Sequence, residues 1–140
     1  MPALQGAETI AAYRYLYGKL APISGSSGVY PGQATRGAQM PYIIVQNWPR
    51  PNGDDVAAFG GRVIARLRYL IKVISPTYAM AEPIVKAIDI ALSDSTGQQS
   101  GYTILDVRRV EPFDMPTLEG DDLYMQTGGY YDLEVAAGVE

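Results

Sequence analysis

The sequence feature that most restricts the fold is the run from Arg62 to Ile74, where side chains alternate with a period of two. Its odd positions are all apolar: Val63, Ala65, Leu67, Tyr69, Ile71 and Val73. This pattern predicts a long β-strand whose odd residues face a core. The even positions are basic in the first half (Arg62, Arg66, Arg68) and mostly apolar in the second. We therefore expect another element or another chain to cover part of that face.

Two other segments have apolar residues at helical spacing. The first predicts an amphipathic helix from Ala7 to Leu20, through Ile10, Tyr13, Leu16, Tyr17 and Leu20. The second follows Ser75-Pro76, runs to Leu92, and contains Met80, Ile84, Ile88 and Ala91. Pro83 leaves its start open: the helix begins at Pro83 as its first residue, or an earlier turn is kinked there.

The remaining apolar segments predict strands and turns. Val29 to Gly32 is a brief extended segment that ends in a turn, and strands are predicted for Tyr42–Trp48, Tyr102–Val110 and Tyr130–Ala136. Leu123 to Gln126 is predicted as a hairpin partner of the last strand, across a turn at 127–129.

These elements predict an α+β fold in one domain, residues 1–140. We expect an antiparallel or mixed sheet of about four to five strands with both helices packed on one face. A chain of 140 residues is long enough for one core and too short for two ordinary domains. Two long loops or arms are predicted, at 49–61 and at 112–129. The stretch 30–40 is interpreted as a connector that places an extended segment beside Pro41–Val45.

The composition argues against catalysis. The chain has no His and no Cys, so it lacks the commonest general base, metal ligand and low-pKa nucleophile. Gly60-Gly61 precedes a strand and fits no phosphate-binding loop. The acids Asp114, Glu119, Asp121 and Asp122 could hold a cation such as calcium, but their spacing fits no known loop, and a solvated turn is the favoured interpretation. We predict no enzyme, cofactor or metal.

The sequence also restricts where the protein can be located and what it can bind. No run approaches the roughly 18 apolar residues of a membrane span, and the N-terminus lacks the features of a signal peptide, which predicts a soluble, non-exported protein without a membrane partner. The absence of Cys suits a reducing compartment. A net charge of −4 with only three Lys argues against DNA binding as the function.

Charged residues are distributed unevenly. Residues 62–72 contain four bases and no acid, whereas 106–140 contain nine acids against Arg108 and Arg109. The two segments could pair between copies that dock head to tail, or within one chain, and both alternatives remain open. Eleven Tyr beside two Phe and one Trp are typical of half-buried sheet faces and of wet protein interfaces. A structural or interaction protein fits these features best.

The order of these segments resembles a known family. VYPG at 29–32, PYIIV at 41–45, the long alternating strand, the helix from Ile84 to Leu92 and YYDLEV at 130–135 are together similar to the tail terminator (tail completion) proteins of long-tailed bacteriophages. The resemblance extends over nearly the whole chain, and Val29-Tyr30 followed by Pro41-Tyr42 is its signature. Pro83 departs from the uninterrupted helix that is frequent in the family.

The resemblance implies a subunit that closes into a ring, usually hexameric, which caps the tail tube, stops its growth and presents the surface that joins the head. The implied partners are other copies of the chain, the tail tube protein and head–tail connector or neck proteins, with genomic DNA passing through the lumen without specific binding. The implied location is the head–tail junction of the virion, after assembly in the host cytoplasm.

On this hypothesis, eleven residues of the arms, the basic strand and the acidic segment are candidates for contact with a neighbouring subunit or the tube: Arg50, Asp54, Asp55, Phe59, Arg62, Arg66, Arg68, Glu119, Asp121, Asp122 and Tyr124. Three alternatives remain. They are a neck or head-completion adaptor, a small ligand-binding regulatory α+β domain with a closed apolar pocket, and a metal-dependent hydrolase that uses the acids of 114–122.

Overall fold

The computed structural model describes residues 6–48, 55–58, 61–120 and 122–137. It contains two helices and seven strands, in the following order along the chain: α1 Glu8–Leu20, β1 Val29–Pro31, β2 Tyr42–Asn47, β3 Asp55–Ala58, β4 Gly61–Ser75, α2 Tyr78–Leu92, β5 Gly97–Gln99, β6 Tyr102–Glu119 and β7 Asp122–Ala137.

All strands belong to one mixed sheet. Six of them follow the order β1-β2-β4-β7-β6-β5, and β3 pairs only with β4. The β1–β2 pair is parallel and every other pair is antiparallel. The α+β class and the mixed sheet are confirmed, but four to five strands was too low a number. The strands that raise it have three or four residues each, too few to show an alternating pattern.

The segment before β2 is the predicted connector. Val29 pairs with Ile43 and Pro31 with Val45, so β1 lies alongside the start of β2. The chain then turns away at Gly32, which has a φ of +71° and whose N–H donates to the Val45 carbonyl at 2.8 Å. A positive φ is accessible to glycine without steric cost, which explains how the turn forms directly after the strand.

The long hairpin of β6 and β7 corrects two predictions. Strand β6 continues beyond Val110 to Glu119, and β7 begins at Asp122, so the stretch 112–129, predicted as a long loop or arm, consists mostly of strand. The predicted turn at 127–129 was wrong, because these residues lie inside β7, opposite both β4 and β6. A Cβ atom on Gly128 would lie 2.0 Å from the Ile71 carbonyl oxygen. Glycine marks a close approach of two backbones here, where sequence reasoning interpreted it as a turn.

The core lies between the two helices and one face of the sheet. Ala65, Tyr69, Ile71 and Val73 of β4 are buried there as predicted, with Leu67 partly buried beside them, together with alternate residues of β2, β6 and β7. Both helices contribute to this single cluster, so the arrangement of two helices on one face is confirmed.

Helix α1 buries a different stripe from the one predicted. Ala11 and Ala12 are buried beside Tyr15, Leu16 and Leu20. Ile10 and Tyr17, which were expected in the core, are 56% and 47% exposed. Alanine has a small side chain and lets the helix lie close to the sheet, so helix packing here selects small residues over larger apolar ones.

Helix α2 begins five residues before Pro83. Thr77 is its N-cap, and the Thr77 hydroxyl accepts from the Met80 N–H at 3.2 Å. Pro83 therefore lies inside the helix, and the alternative in which Pro83 is the first residue was wrong. Neither α1 nor α2 combines the length and the apolar character needed to cross a bilayer.

Candidate interaction surface

The sheet face opposite the helices carries an ionic zone in its first half. Arg68 Nε and Nη2 donate to Asp132 Oδ1 and Oδ2 at 2.7 and 3.1 Å, a bidentate pair in which both side chains are more than three-quarters buried. Arg66 Nε lies 3.4 Å from Glu134 Oε1, and the Arg66 side chain is 54% exposed. In both pairs the two residues lie directly opposite each other in the β4–β7 ladder.

The ionic zone continues onto β6, where Arg108 lies 3.1 Å from Asp106. A groove of about 300 Å³ runs along it. We define the ionic zone by six residues: Arg66, Arg68, Asp106, Arg108, Asp132 and Glu134. Arg66 and Arg68 of the predicted basic strand thus pair with acids of the same chain. For these two residues, the alternative of pairing within one chain is the one that the structure shows.

The second half of this face is an aromatic zone, defined by Tyr30, Tyr42, Trp48, Phe113 and Tyr130. The Tyr130 ring makes edge contacts with Trp48 and Phe113, at centroid distances of 5.5 and 6.1 Å. Tyr30 and Tyr42 form another edge contact at 5.7 Å. Such ring pairs stabilise beyond the area they bury.

Apolar side chains of the same face are also buried, outside the core cluster to which both helices contribute. Ile44, Leu70 and Ile74 are only 2–5% exposed. Lys72 Nζ lies 5.6 Å from the Phe113 centroid. Burial lowers the Lys72 pKa, because a desolvated ammonium loses hydration that the ring replaces only in part. The apolar half of this face of β4 is thus covered as predicted, and neighbouring strands place Tyr130 directly opposite Leu70 and Tyr42 directly opposite Ile74.

The far end of the β6–β7 hairpin extends beyond β4. Strand β4 ends at Ser75, opposite Met125, so the residues of 117–124 that the structure describes pair only within the hairpin. We call this segment the hairpin tip. Its Leu118 and Leu123 lie opposite each other and are 69% and 55% exposed. Two exposed leucines side by side form an apolar patch on an otherwise polar tip.

The hairpin is also linked to the start of α2. The Tyr78 hydroxyl lies 2.8 and 3.0 Å from the two carboxylate oxygens of Asp114 and donates to them. This hydrogen bond raises the Tyr78 pKa, since the carboxylate favours the protonated phenol. Asp114 thus has a partner within the chain, and the described residues contain no group of three or more acids that could hold a metal ion.

The predicted interface residues separate into two groups. Arg66 and Arg68 lie in the ionic zone, whereas Asp122 and Tyr124 lie in the hairpin tip. Ten residues of β7 separate Asp122 from Asp132, roughly 30 Å at the usual rise of a strand. Arg66 and Arg68 of β4, which pair with Glu134 and Asp132, are thus distant from Asp122 and Tyr124, and contact of either group with a neighbouring subunit stays a prediction.

The other predicted interface residues are located only in part. Three belong to strands whose pairing is known: Asp55 is opposite Ala65, Arg62 is opposite Ala57, and Glu119 is opposite Asp122. Four lie outside the described residues: Arg50, Asp54, Phe59 and Asp121.

Sequence reasoning did not single out the aromatic zone or the apolar patches. Trp48 was treated only as a strand residue, Phe113 fell in the predicted loop or arm at 112–129, and Ile10 and Tyr17 were placed on the apolar stripe of α1. One signal was present at the tip, where EGDD between Leu118 and Leu123 is a turn sequence flanked by apolar residues. Ring contacts between distant strands have no comparable local signal.

A second groove, of about 370 Å³, lies between the end of α2 and β6. Its lining includes the acids Asp89, Asp94 and Glu111 and the bases Arg108 and Arg109. Asp89 accepts from the Ser93 and Tyr131 hydroxyls at 2.9 and 3.2 Å. Both grooves are open and charged, unlike the closed apolar pocket that the ligand-binding alternative requires.

The chain is similar to proteins of known family or fold. The sequence pattern of the tail completion protein gp17 family matches residues 13–126. A chain from the virion of a native gene transfer agent particle aligns over 95% of this chain and 100% of its own length, with a TM-score of 0.72 and 18% identity. A second solved structure, without a descriptive name, aligns over 94% of this chain and 95% of its own, with a TM-score of 0.58 and 16% identity. At identities this low, the structural similarity shows a shared fold alone. No curated protein sequence matches the chain.

Proposed function

Because the chain belongs to the tail completion protein gp17 family, we propose that it is a structural protein of a phage-like virion that closes into a ring and caps the tail tube. The family match over residues 13–126 carries this proposal. The fold shared with a chain of a gene transfer agent virion supports it, since that chain aligns over its full length.

In this function the ring is hexameric and lies at the head–tail junction after assembly in the host cytoplasm. It stops polymerisation of the tube and presents the surface to which the head joins. Its partners are other copies of the chain, the tail tube protein and the connector or neck proteins. Genomic DNA passes through its lumen, and the net charge of −4 favours passage without adhesion, because phosphates are repelled by acidic surfaces.

The function requires no catalysis. A ring that caps a tube acts by occupying the binding site for the next tube subunit, so affinity and geometry are sufficient. The chain has neither His nor Cys, which suits a role that depends on surfaces.

The distribution of charge indicates which predicted residues can act between subunits. Arg68 is bidentate with Asp132 and largely buried, so its charge is already used inside the chain. Asp122 is exposed in the hairpin tip, where a neighbouring molecule can reach it. We therefore assign intersubunit contact to the tip and a mainly structural role to the ionic zone.

Solution mass tests this proposal most directly. Light scattering and negative-stain images would be recorded for the purified chain alone and after addition of purified tail tubes. We expect rings in one or both samples, and tubes that stop elongating once the chain is bound. A globular protein of similar mass and net charge is the control for non-specific effects on elongation. A monomer without effect on the tubes would overturn the proposal.

Location within the particle separates a cap from a neck adaptor. Labelled antibody against the chain would be imaged on tubes without heads and on filled heads without tails. Label at one end of the tube supports the cap, and label confined to the heads would reassign the chain to the neck.

A further inference from the structure

Helix α1 has an outward face that is apolar. Ile10 and Tyr17 lie on the exposed side of the helix, and Tyr13, which is half-buried against the core, borders them at helical spacing. Ile10 and Tyr17 are about half exposed, and the Tyr13 and Tyr17 rings lie 6.3 Å apart. Arg14 is exposed between them, so the face combines two rings, one aliphatic side chain and a positive charge.

The hairpin tip has the complementary composition. Leu118 and Leu123 form an exposed cross-strand pair, and the four residues between them, EGDD, contain three acids. The tip thus presents an apolar pair beside the exposed carboxylate of Asp122, which we call the acidic rim. An apolar patch with an acidic rim suits a partner that is apolar and basic, which is the character of the outward face of α1.

The outer edge of β6 is poorly suited to adding a strand. Beyond Ile104, no other described strand pairs with that side of β6. The two-residue turn makes Glu119 and Asp122 a hydrogen-bonded pair, so the groups that point outward belong to 112, 114, 116 and 118. Pro112 and Pro116 have no N–H to offer, so half of the outward donors are missing. A partner would therefore bind the tip through the side chains of its face, and not by adding a strand at its edge.

We propose that the Leu118–Leu123 pair of one copy packs on the Ile10–Tyr13–Tyr17 face of the next copy, with the acidic rim near Arg14. This contact rests on the proposed ring. Two different patches on one chain make a heterologous contact, which repeats from copy to copy and closes into a ring, whereas a self-complementary patch would stop at a dimer.

Disulfide trapping tests the contact, since the chain has no cysteine of its own. One chain would carry Gly18→Cys on the outward face of α1, where a Cβ meets no atom within 4 Å. A second chain would carry Leu123→Cys in the tip. Mixed and oxidised under assembling conditions, they should form covalent heterodimers. The matched control replaces Gly18→Cys with Ile90→Cys on α2, where Ile90 is 83% exposed, and several-fold fewer heterodimers are expected.

Substitutions without cysteine provide a second readout. Leu118→Ser with Leu123→Ser should abolish assembly, while Met115→Ser, exposed on the opposite face of the same hairpin, should leave it intact. Asp122→Lys and Arg14→Glu should each raise the protein concentration needed for assembly by about threefold, and the two together should restore it. An unchanged melting temperature would show that the variants are folded.

The possible results separate this contact from the function it rests on. Normal rings formed by the Leu118→Ser, Leu123→Ser variant would overturn the contact and leave the ring in place. Heterodimers that form as efficiently with Ile90→Cys as with Gly18→Cys would do the same. Covalent homodimers through position 123 alone would also overturn it, because they indicate a self-complementary patch. A chain that remains monomeric with and without tail tubes would remove the ring, and the contact with it.

Discussion

The two faces of strand β4 are buried by different means. On one face, Tyr69, Ile71 and Val73 are covered by helices α1 and α2 in the main core. On the other face, Leu70 and Ile74 are almost equally buried but lie outside that cluster, with the rings of Tyr130 and Tyr42 directly opposite them in the sheet. Equal burial therefore does not mean equal rigidity. A helix is fixed by many contacts, whereas a surface ring can move into a space that opens beneath it.

The largest expected effect is the loss of Ile71 from the helix-covered face. Ile71→Ala should lower the free energy of unfolding by about 3–4 kcal/mol, since the cavity lies between packed helices and sheet. Leu70→Ala removes a similar volume from the other face, where Tyr130 is directly opposite and can settle inward. We expect about 1–2 kcal/mol there. Urea unfolding of both variants measures the difference, and equal losses would contradict the comparison.

A glycine in β7 tests how closely the two central strands approach. Gly128→Ala would place a methyl group 2.0 Å from the Ile71 carbonyl oxygen and 2.8 Å from Lys72 Cα, so backbone atoms must shift. We expect a loss of about 1–3 kcal/mol in thermal or urea unfolding. Gly18→Ala is the matched control in α1. Its Cβ meets no atom within 4 Å, and the variant should gain about 0.5–1 kcal/mol. A neutral Gly128→Ala would mean that the strands can separate without cost.

The period of two in β4 predicted both of its faces, because each residue of a regular strand is assigned by parity alone. The same reasoning failed for Gly128, since local signals do not distinguish a turn from a close approach of two backbones. It also failed for α1, where Ile10 and Tyr17 have much larger apolar surfaces than Ala11 and Ala12 but lie outside. Hydrophobicity favours burial, but the distance between helix and sheet decides which side chains fit.

The candidate surface was predictable only where it is local in sequence. The basic residues of β4 and the acids of β7 were identified, but their pairing depends on register. The aromatic zone brings together Tyr30, Trp48, Phe113 and Tyr130 from four separate segments. No window of sequence contains such a set, so its recognition requires the strand order.

Raising the pH into the alkaline range should change the free energy of unfolding in opposite directions through titratable groups on the two faces. Burial raises the pKa of Tyr69 and of Tyr131, both on the helix-covered face, and the nearby Asp89 adds to the effect on Tyr131. Above about pH 10 the unfolded phenols lose protons that the folded phenols keep. The unfolded state then binds fewer protons, and stability falls by about 1.4 kcal/mol per phenol for each pH unit.

Lys72 on the other face opposes this fall over a narrow range. Its folded pKa is lowered by burial, so between that value and about pH 10.4 the unfolded amine binds more protons, and its contribution to stability rises with pH. Urea unfolding between about pH 8 and 11 should therefore show a small rise in the free energy of unfolding below about pH 10 and a fall above it. Tyr131→Phe should reduce the slope by about half. A slope that does not change would contradict the assignment to buried phenols.

The smallest effects are expected in the ionic zone, where the two ion pairs differ in exposure. Arg68 and Asp132 are 23% and 20% exposed and bidentate, while Arg66 and Glu134 are 54% and 33% exposed. We expect coupling energies of about 1–2 kcal/mol for Arg68–Asp132 and about 0.2–0.5 kcal/mol for Arg66–Glu134. Double-mutant cycles with Arg68→Ala, Asp132→Ala, Arg66→Ala and Glu134→Ala measure both energies. Added salt should reduce the weaker coupling more, because water and ions screen exposed charges. Two couplings of equal size and equal salt dependence would show that solvent reaches both pairs alike, and the ionic zone would then contribute to recognition more than to the fold.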